Sequence, residues 1–453
     1  MGSYYLVVPN LYIDIGDIMS KLDLLIRNVD IVTMDDARMV IKGGYIGMQG
    51  GKISFASDSL PENIDSKNVI DGKGKIAMPG LVNAHSHSAM TLMRNYADDI
   101  ALETWLFDNI FPIEAKLTEK DVYWGTMLGI AEMVKSGVVA FADMYMFMEE
   151  VARAVTETGV KANICKSPVQ FFEGGELKRL DKSQGAIDYY NRYHNSADGR
   201  IKVFVEIHST YMFNEKTLEN AATIAKQLNT GIHIHLLETV TEVESSKRDY
   251  GMTSVEICKK TGVLDVPILA AHCVHLTDSD LEIMKAMGCS IAHNPTSNLK
   301  LGSGIARVPK MLEMGINVCL GTDGAASNNN LNMFEEMNLA ALIHKGIAMD
   351  PQLMSAKTVL KMATCNGARA LGFDDSGVIK EGMKGDIILI DTDKPHFYPK
   401  NNPVSAIVYS AQAADVDTVI VDGKIIMQDR IFKNIDEERI KYEVDSLSSR
   451  LLG

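Results

Sequence analysis

The stretch GLVNAHSHSAM, residues 80–90, follows a proline and carries an apolar run into two histidines one residue apart, His85 and His87. In a β-strand alternate residues share a face, so both imidazoles leave its carboxyl end on the same side, where they can hold one cation. Taken alone, the pattern also fits two polar residues leaving a buried strand. The way other strands end decides between the two.

Seven further apolar runs end in polar or reactive residues: VVAFADMY (138–145), KANICKSP (161–168), IKVFVEIHS (201–209), GIHIHLLE (231–238), PILAAHCV (267–274), CSIAHNP (289–295) and NVCLGTDG (317–324). The segments between them carry helix signals, among them an acidic first turn at Glu119–Asp121 and Thr241-Glu242-Val243-Glu244, read as a capping box. Eight strand–helix units predict an α/β fold, a metal-dependent (βα)8 TIM barrel. An open doubly wound sheet has fewer strands and often opens on a glycine-rich turn, which is absent here.

In such a barrel the functional groups gather at the carboxyl ends of the strands. Those ends carry His85 and His87 on the first, His208 on the fourth, His235 with Glu238 on the fifth, His272 on the sixth, His293 on the seventh and Asp323 on the eighth. Three imidazoles and a carboxylate with one open position make a catalytic rather than a structural metal site, and His85, His87 and His235 with a strand-end carboxylate fit that set. His233 shares a face with His235 but lies one step deeper, and reads as a hydrogen-bonded core histidine.

On either side of the barrel the texture is short β runs. LLIRNVDIVTM, YIGMQGGKISFAS and NVIDGKGKIAMPG precede it, and GDIILIDTD and DTVIVDGKIIMQD follow it, with Gly50-Gly51 and Asp422-Gly423 as hairpin turns. These predict a small β-sandwich domain built from both chain ends. The expected organisation is the amino-terminal part of the sandwich over 1–78, the catalytic barrel over 79–384, and the carboxyl-terminal part with a terminal helix over 385–453. Residues 1–18 read as an extension preceding Met19, a candidate initiator.

At 453 residues and 46% hydrophobic, the chain has material for two cores. It has no run of eighteen apolar residues and no leader pattern, so a cytoplasmic protein with no membrane partner is expected. Its six cysteines are scattered without a Cys-x-x-Cys pair, which suits a reducing compartment and argues against a thiolate zinc site. A net charge of -14 disfavours nucleic acid, and no phosphate-binding loop motif is present. A neutral, zwitterionic or cationic small substrate fits, and the sequence is compatible with a homo-oligomer.

PGLVNAHSH, HIHLLE, AAHCVH, HNPTSNLKLG and GTDGAASNN together resemble the amidohydrolase superfamily over about residues 22–440, and within it the 5'-methylthioadenosine/S-adenosylhomocysteine deaminases. The resemblance implies one divalent ion, Zn2+ foremost with Fe2+ or Mn2+ as alternatives. The fourth strand ends in His208 and lacks the lysine of the two-metal branch. The implied reaction is attack of a metal-activated water on C6 of an adenine ring, giving the inosine analogue and ammonia. Asp323 is then ligand and base, His272 contacts the water and the developing tetrahedral oxygen, and Glu238 passes a proton to the neighbouring ring nitrogen.

ETWLFDNIFPIEAKLTE (103–119) resembles the same branch. Carried over, Trp105 walls the nucleoside, Glu114 accepts from the ribose hydroxyls, and His208 contacts the substrate. For a homocysteine carboxylate, Arg179 in GGELKRLD is the candidate, while Lys166 stands where an arginine would also serve. Lysine offers a point charge rather than a bidentate fork, which favours 5'-methylthioadenosine over S-adenosylhomocysteine, with adenosine and 5'-deoxyadenosine as further substrates. The competing readings are a deaminase or chlorohydrolase of another ring, guanine or a triazine, and a catalytically silent barrel serving as a scaffold.

Overall fold

The computed structural model describes residues 21–173 and 176–452; the expected extension over 1–18 and Met19 lie outside the described residues. Eight parallel strands follow in chain order: β1 (Leu81–Ser86), β2 (Val138–Asp143), β3 (Lys161–Lys166), β4 (Ile201–Ile207), β5 (Ile232–Leu236), β6 (Ile268–His272), β7 (Ser290–His293) and β8 (Asn317–Leu320). β1 and β2 are buried along their whole length. That is the pattern of a parallel sheet covered by helices outside and packed side chains inside.

The barrel closes between β8 and β1 through the residues that follow β8 rather than through a regular ladder. The Asp323 N–H donates to the His85 carbonyl at 2.9 Å. The Asn83 amide replaces further ladder bonds, accepting from Thr322 N–H at 2.9 Å and donating to Thr322 Oγ1 at 2.7 Å. The close approach requires Gly321, where a Cβ would stand 2.8 Å from the His85 nitrogen.

The helix Glu119–Lys135 opens as its acidic first turn predicts, with Thr118 N–H donating to the Asp121 carboxylate at 2.7 Å. The box expected at Thr241–Glu244 is corrected. The helix Val240–Tyr250 starts earlier, with extended Thr239 as its cap, accepting from Glu242 N–H at 3.2 Å. Glu242 is thereby turned back toward the end of β5. A hairpin of Val169–Glu173 and Glu176–Asp181, unforeseen from the sequence, is inserted between β3 and β4.

Both predicted hairpins form. Gln49 pairs with Lys52 and Val421 with Lys424, and the central residues Gly50, Gly51, Asp422 and Gly423 all have positive φ, as a tight turn matched to strand twist requires. The terminal strands from both chain ends come together, as predicted. They make one continuous nine-stranded sheet, in which Lys75–Pro79 runs antiparallel to Ile387–Asp391 and stitches the two chain ends together. Alternation along these strands explains its two faces. Ala77, Ile387, Leu389 and Ile420 pack with Leu24, Ile26 and Ile46 in a core of their own, whereas Met78, Ile388, Ile390 and Val419 join the main core with the barrel.

Pro79 leads through Gly80 directly into β1. At the opposite end of the barrel from the histidines, buried Lys161 pairs with Asp386 and with Asp422, at 2.8 Å for the latter, tying β3 to the sheet. The last helix, Glu437–Leu452, packs on Glu119–Lys135 with Lys120–Glu443 and Lys135–Glu437 ion pairs at 3.0 and 2.6 Å. All six cysteines are free, and no helix among the described residues is long and apolar enough to cross a membrane.

Candidate active site

Three imidazoles and one carboxylate converge where β1, β5 and β8 end. The Nδ1 of His87 bonds the Met144 carbonyl, and that of His235 bonds the His208 carbonyl at 2.8 Å. A carbonyl only accepts, so both rings carry a proton on Nδ1. Their Nε2 atoms, the ring nitrogens left for the site, lie 3.2 Å apart. His85 Nε2 is buried with no hydrogen-bond partner, and Asp323 Oδ1 lies 3.4 Å from it and 3.2 Å from His87 Nε2.

Three nitrogens and one oxygen gathered this closely are a donor set that suits a divalent transition ion. Protons compete for the same atoms. Burial opposes charge on His87, but the Asp323 carboxylate outweighs it and raises the imidazole to about 9. Ion binding therefore has to displace a proton.

Asp323 is fixed from every side. Its Oδ2 accepts from Ser297 Oγ at 2.6 Å and Ser327 Oγ at 2.9 Å, and its Oδ1 from Gly324 N–H at 2.8 Å. Its φ of +64° and that of His272, +70°, lie in the left-handed region. Residues with a Cβ rarely adopt that conformation, and where they do it often aims a side chain at a functional site.

Glu238 and His272 flank the cluster. His272 Nδ1 lies 2.8 Å from Asn298 Oδ1, which leaves its Nε2 directed to the site and 3.8 Å from the Glu238 carboxylate. Burial raises the Glu238 carboxyl above the usual range. Beneath it, buried Glu242 accepts from Glu238 N–H at 3.0 Å and from Thr210 Oγ1 at 3.2 Å, anchoring the loop. Sequence reasoning used Glu242 only as a capping residue. It also left Ser297, Ser327 and Asn298 unassigned, although all three lie in the HNPTSNLKLG and GTDGAASNN segments.

The remaining predicted residues are distributed around the mouth. The half-buried carboxyl of Glu114 is pushed up to about 7 by burial, against the pull of the Tyr145 hydroxyl and His87. The Tyr145 ring lies 6.3 Å from that of His87, so Glu114 stands on the β1–β2 side of the site. Trp105, 6% exposed, belongs to a single wide helical turn, Trp105–Ile110, and its indole N–H is buried without a partner. The His208 ring is 5.0 Å from that of His235, and burial pushes its pKa down to about 4, so it is neutral at neutral pH.

Arg179 sits on the inserted hairpin, where its Nε donates to the Met212 carbonyl at 2.6 Å, in the loop that follows His208. Lys166 is engaged by Glu149 at 3.0 and 3.1 Å. His293 ends its strand as predicted but is buried beside His344, 5.6 Å between rings, and is not among the groups that could hold an ion.

The sequence model of the amidohydrolase family matches residues 76–426. A 5-methylthioadenosine/S-adenosylhomocysteine deaminase of Acetivibrio thermocellus is 56% identical over 434 residues, covering 95% of this chain and 100% of the relative. One of Dictyoglomus thermophilum is 49% identical, covering 95% and 99%. Among solved structures, an adenosine deaminase from Xanthomonas campestris with bound zinc superposes with a TM-score of 0.89 at 30% identity, covering 95% of this chain and 99% of that one.

Proposed function

Since the chain belongs to the amidohydrolase family, we propose that it hydrolyses the adenine ring of 5'-modified adenosines, 5'-methylthioadenosine foremost, to the inosine analogue and ammonia. The observation that carries this reading is the convergence of His85, His87, His235 and Asp323 with two further ionisable groups, Glu238 and His272, beside them. A simple amidase needs no proton on a ring nitrogen; a deaminase of an amidine-like ring edge does, and Glu238 is placed to give it. The names of the relatives at 56% and 49% identity point to the same substrate class.

The four ligands would hold a divalent ion, zinc in this reading, whose Lewis acidity brings the pKa of water toward 7. Asp323 takes a proton from the attacking water. His272, its Nδ1 tied to Asn298, presents Nε2 to the same oxygen as C6 becomes tetrahedral. Glu238, kept protonated more readily by burial, donates to N1 of the purine and makes C6 electrophilic. As the C6–N bond breaks, the amino group takes the proton held by Asp323 and leaves as ammonia; the water oxygen stays on C6 as the carbonyl, its second proton restores Glu238, and N1 keeps the proton it received.

Glu114 accepts from the 2'- and 3'-hydroxyls, Trp105 and His208 flank the nucleoside, and Arg179 reaches the outer end of the substrate. Lys166, already engaged by Glu149, is a weak partner for a carboxylate, which supports the preference for an apolar 5' group. Ammonia release by zinc-loaded protein tests the reading. Stoichiometric ammonia and inosine analogue from 5'-methylthioadenosine are expected; turnover of guanine or a triazine without any from adenine nucleosides would overturn it.

A further inference from the structure

We propose that His233, deep in the barrel, is a positioning residue that fixes His85 in the one tautomer able to ligate the ion; this rests on the metal reading above. The three ligand imidazoles are oriented in two different ways. His87 and His235 donate from Nδ1 to backbone carbonyls, acceptors that cannot change role. His85 has no carbonyl. Its Nδ1 lies 3.0 Å from His233 Nε2, and His233 Nδ1 lies 3.3 Å from Cys165 Sγ. Both histidines and the cysteine are completely buried, so no water substitutes for these partners.

The proton positions along this row follow from one requirement. For His85 Nε2 to ligate, the ring proton must be on Nδ1, donated to His233 Nε2. His233 Nε2 must then be bare, and its proton lies on Nδ1, facing the sulfur. A doubly protonated His233, or its opposite tautomer, would set one N–H against another at 3.0 Å, and the opposite tautomer of His85 would face the His233 lone pair with its own.

His233 on β5, whose Nδ1 proton the Cys165 sulfur on β3 is able to accept, thus matches the ligating tautomer of His85 on β1 across the barrel interior. Partners of this kind, hydrogen-bonded to a metal-ligating histidine, fix ring orientation and raise ligand basicity. A purely core histidine needs only a filled volume. His233 supplies an acceptor at one particular atom.

The test uses the full chain. Zinc affinity is measured by competition with a chelating dye, and thermal unfolding is followed on the metal-free protein, for wild type, His233→Leu and His233→Gln. Glutamine places an amide oxygen near the position of Nε2; leucine does not. His233→Leu is expected to weaken zinc by about 10- to 100-fold, and His233→Gln to recover most of that loss, whatever either does to the metal-free unfolding temperature.

Equal zinc binding by the leucine variant and wild type, or equal loss in both variants, would overturn the proposal while leaving the metal reading intact. A wild type that takes up no zinc would overturn both. Should the leucine variant fail to fold, nitrogen-15 spectra of histidine-labelled, zinc-loaded wild type still decide: a proton on His85 Nδ1 is expected, and one on Nε2 would refute the assignment.

Discussion

The inner and outer parts of this mouth are built by different means. Inside, His85, His87, His235, His272 and Asp323 project from strand ends or the residue triplet after β8, and each has a second polar atom bound by a named partner. Outside, Trp105 and Glu114 sit on short, irregular helical turns between β1 and β2, and Arg179 on an inserted hairpin. Strand ends fix positions to within the register of a ladder, whereas excursions are free to change length and sequence. On the proposed function the chemistry falls to the rigid part and the choice of substrate to the adaptable part, so substitutions in each should fail in different ways.

The largest effect is expected at the centre of the rigid part. Asp323→Asn removes an ion ligand and a general base together, and should cut turnover by at least ~10⁴-fold, since base catalysis alone is worth ~10²–10⁴. Metal analysis of the variant should show reduced zinc occupancy. Glu238→Gln separates chemistry from metal binding. Turnover should fall by ~10²–10³-fold with KM little changed, and zinc content should stay at the wild-type level. Zinc lost in Glu238→Gln would put that carboxylate on the ion and blur the division.

The outer part should respond through KM. Glu114→Gln is expected to raise KM for 5'-methylthioadenosine by ~10-fold or more, as a carboxylate–hydroxyl bond contributes about 1.5–3 kcal/mol, with kcat changed far less. The pH dependence sharpens this. Burial raises the Glu114 carboxyl to about 7, so it is protonated below that pH and a full acceptor only above it. KM should therefore fall as pH rises through about 7 in the wild type and be flat over the same range in Glu114→Gln. Arg179→Met should give the smallest effect, a rise in KM for S-adenosylhomocysteine of about 5-fold or less with none for 5'-methylthioadenosine, because a solvent-exposed charge pair is worth at most ~1 kcal/mol.

The same division governs what could be read in the sequence. The convergence of these side chains was legible because strand periodicity is local: His85 and His87 lie two apart, and each remaining run announces its own end. Both hairpins were legible for the same reason, in Gly50-Gly51 and Asp422-Gly423. The contact of His85 with His233 was not, because it joins residues 148 apart and depends on which faces meet across a closed barrel. Nothing in the spacing of 169–181 announced a hairpin, and Glu242, legible as a helix-start carboxylate, acts by turning back onto the Glu238 backbone. Glu114 and Trp105 had no periodic signal of their own and were found through resemblance alone.

The most direct test of this division is the ratio of kcat/KM for 5'-methylthioadenosine to that for free adenine, measured by ammonia release with zinc-loaded protein. Both share the ring that the inner groups act on, and only the nucleoside has hydroxyls for the outer carboxylate. The account predicts a ratio of ~10² or more, from one or two hydrogen bonds to a carboxylate, and a ratio lower by ~10-fold or more in Glu114→Gln. Equal turnover of free adenine and the nucleoside by the wild type would contradict it.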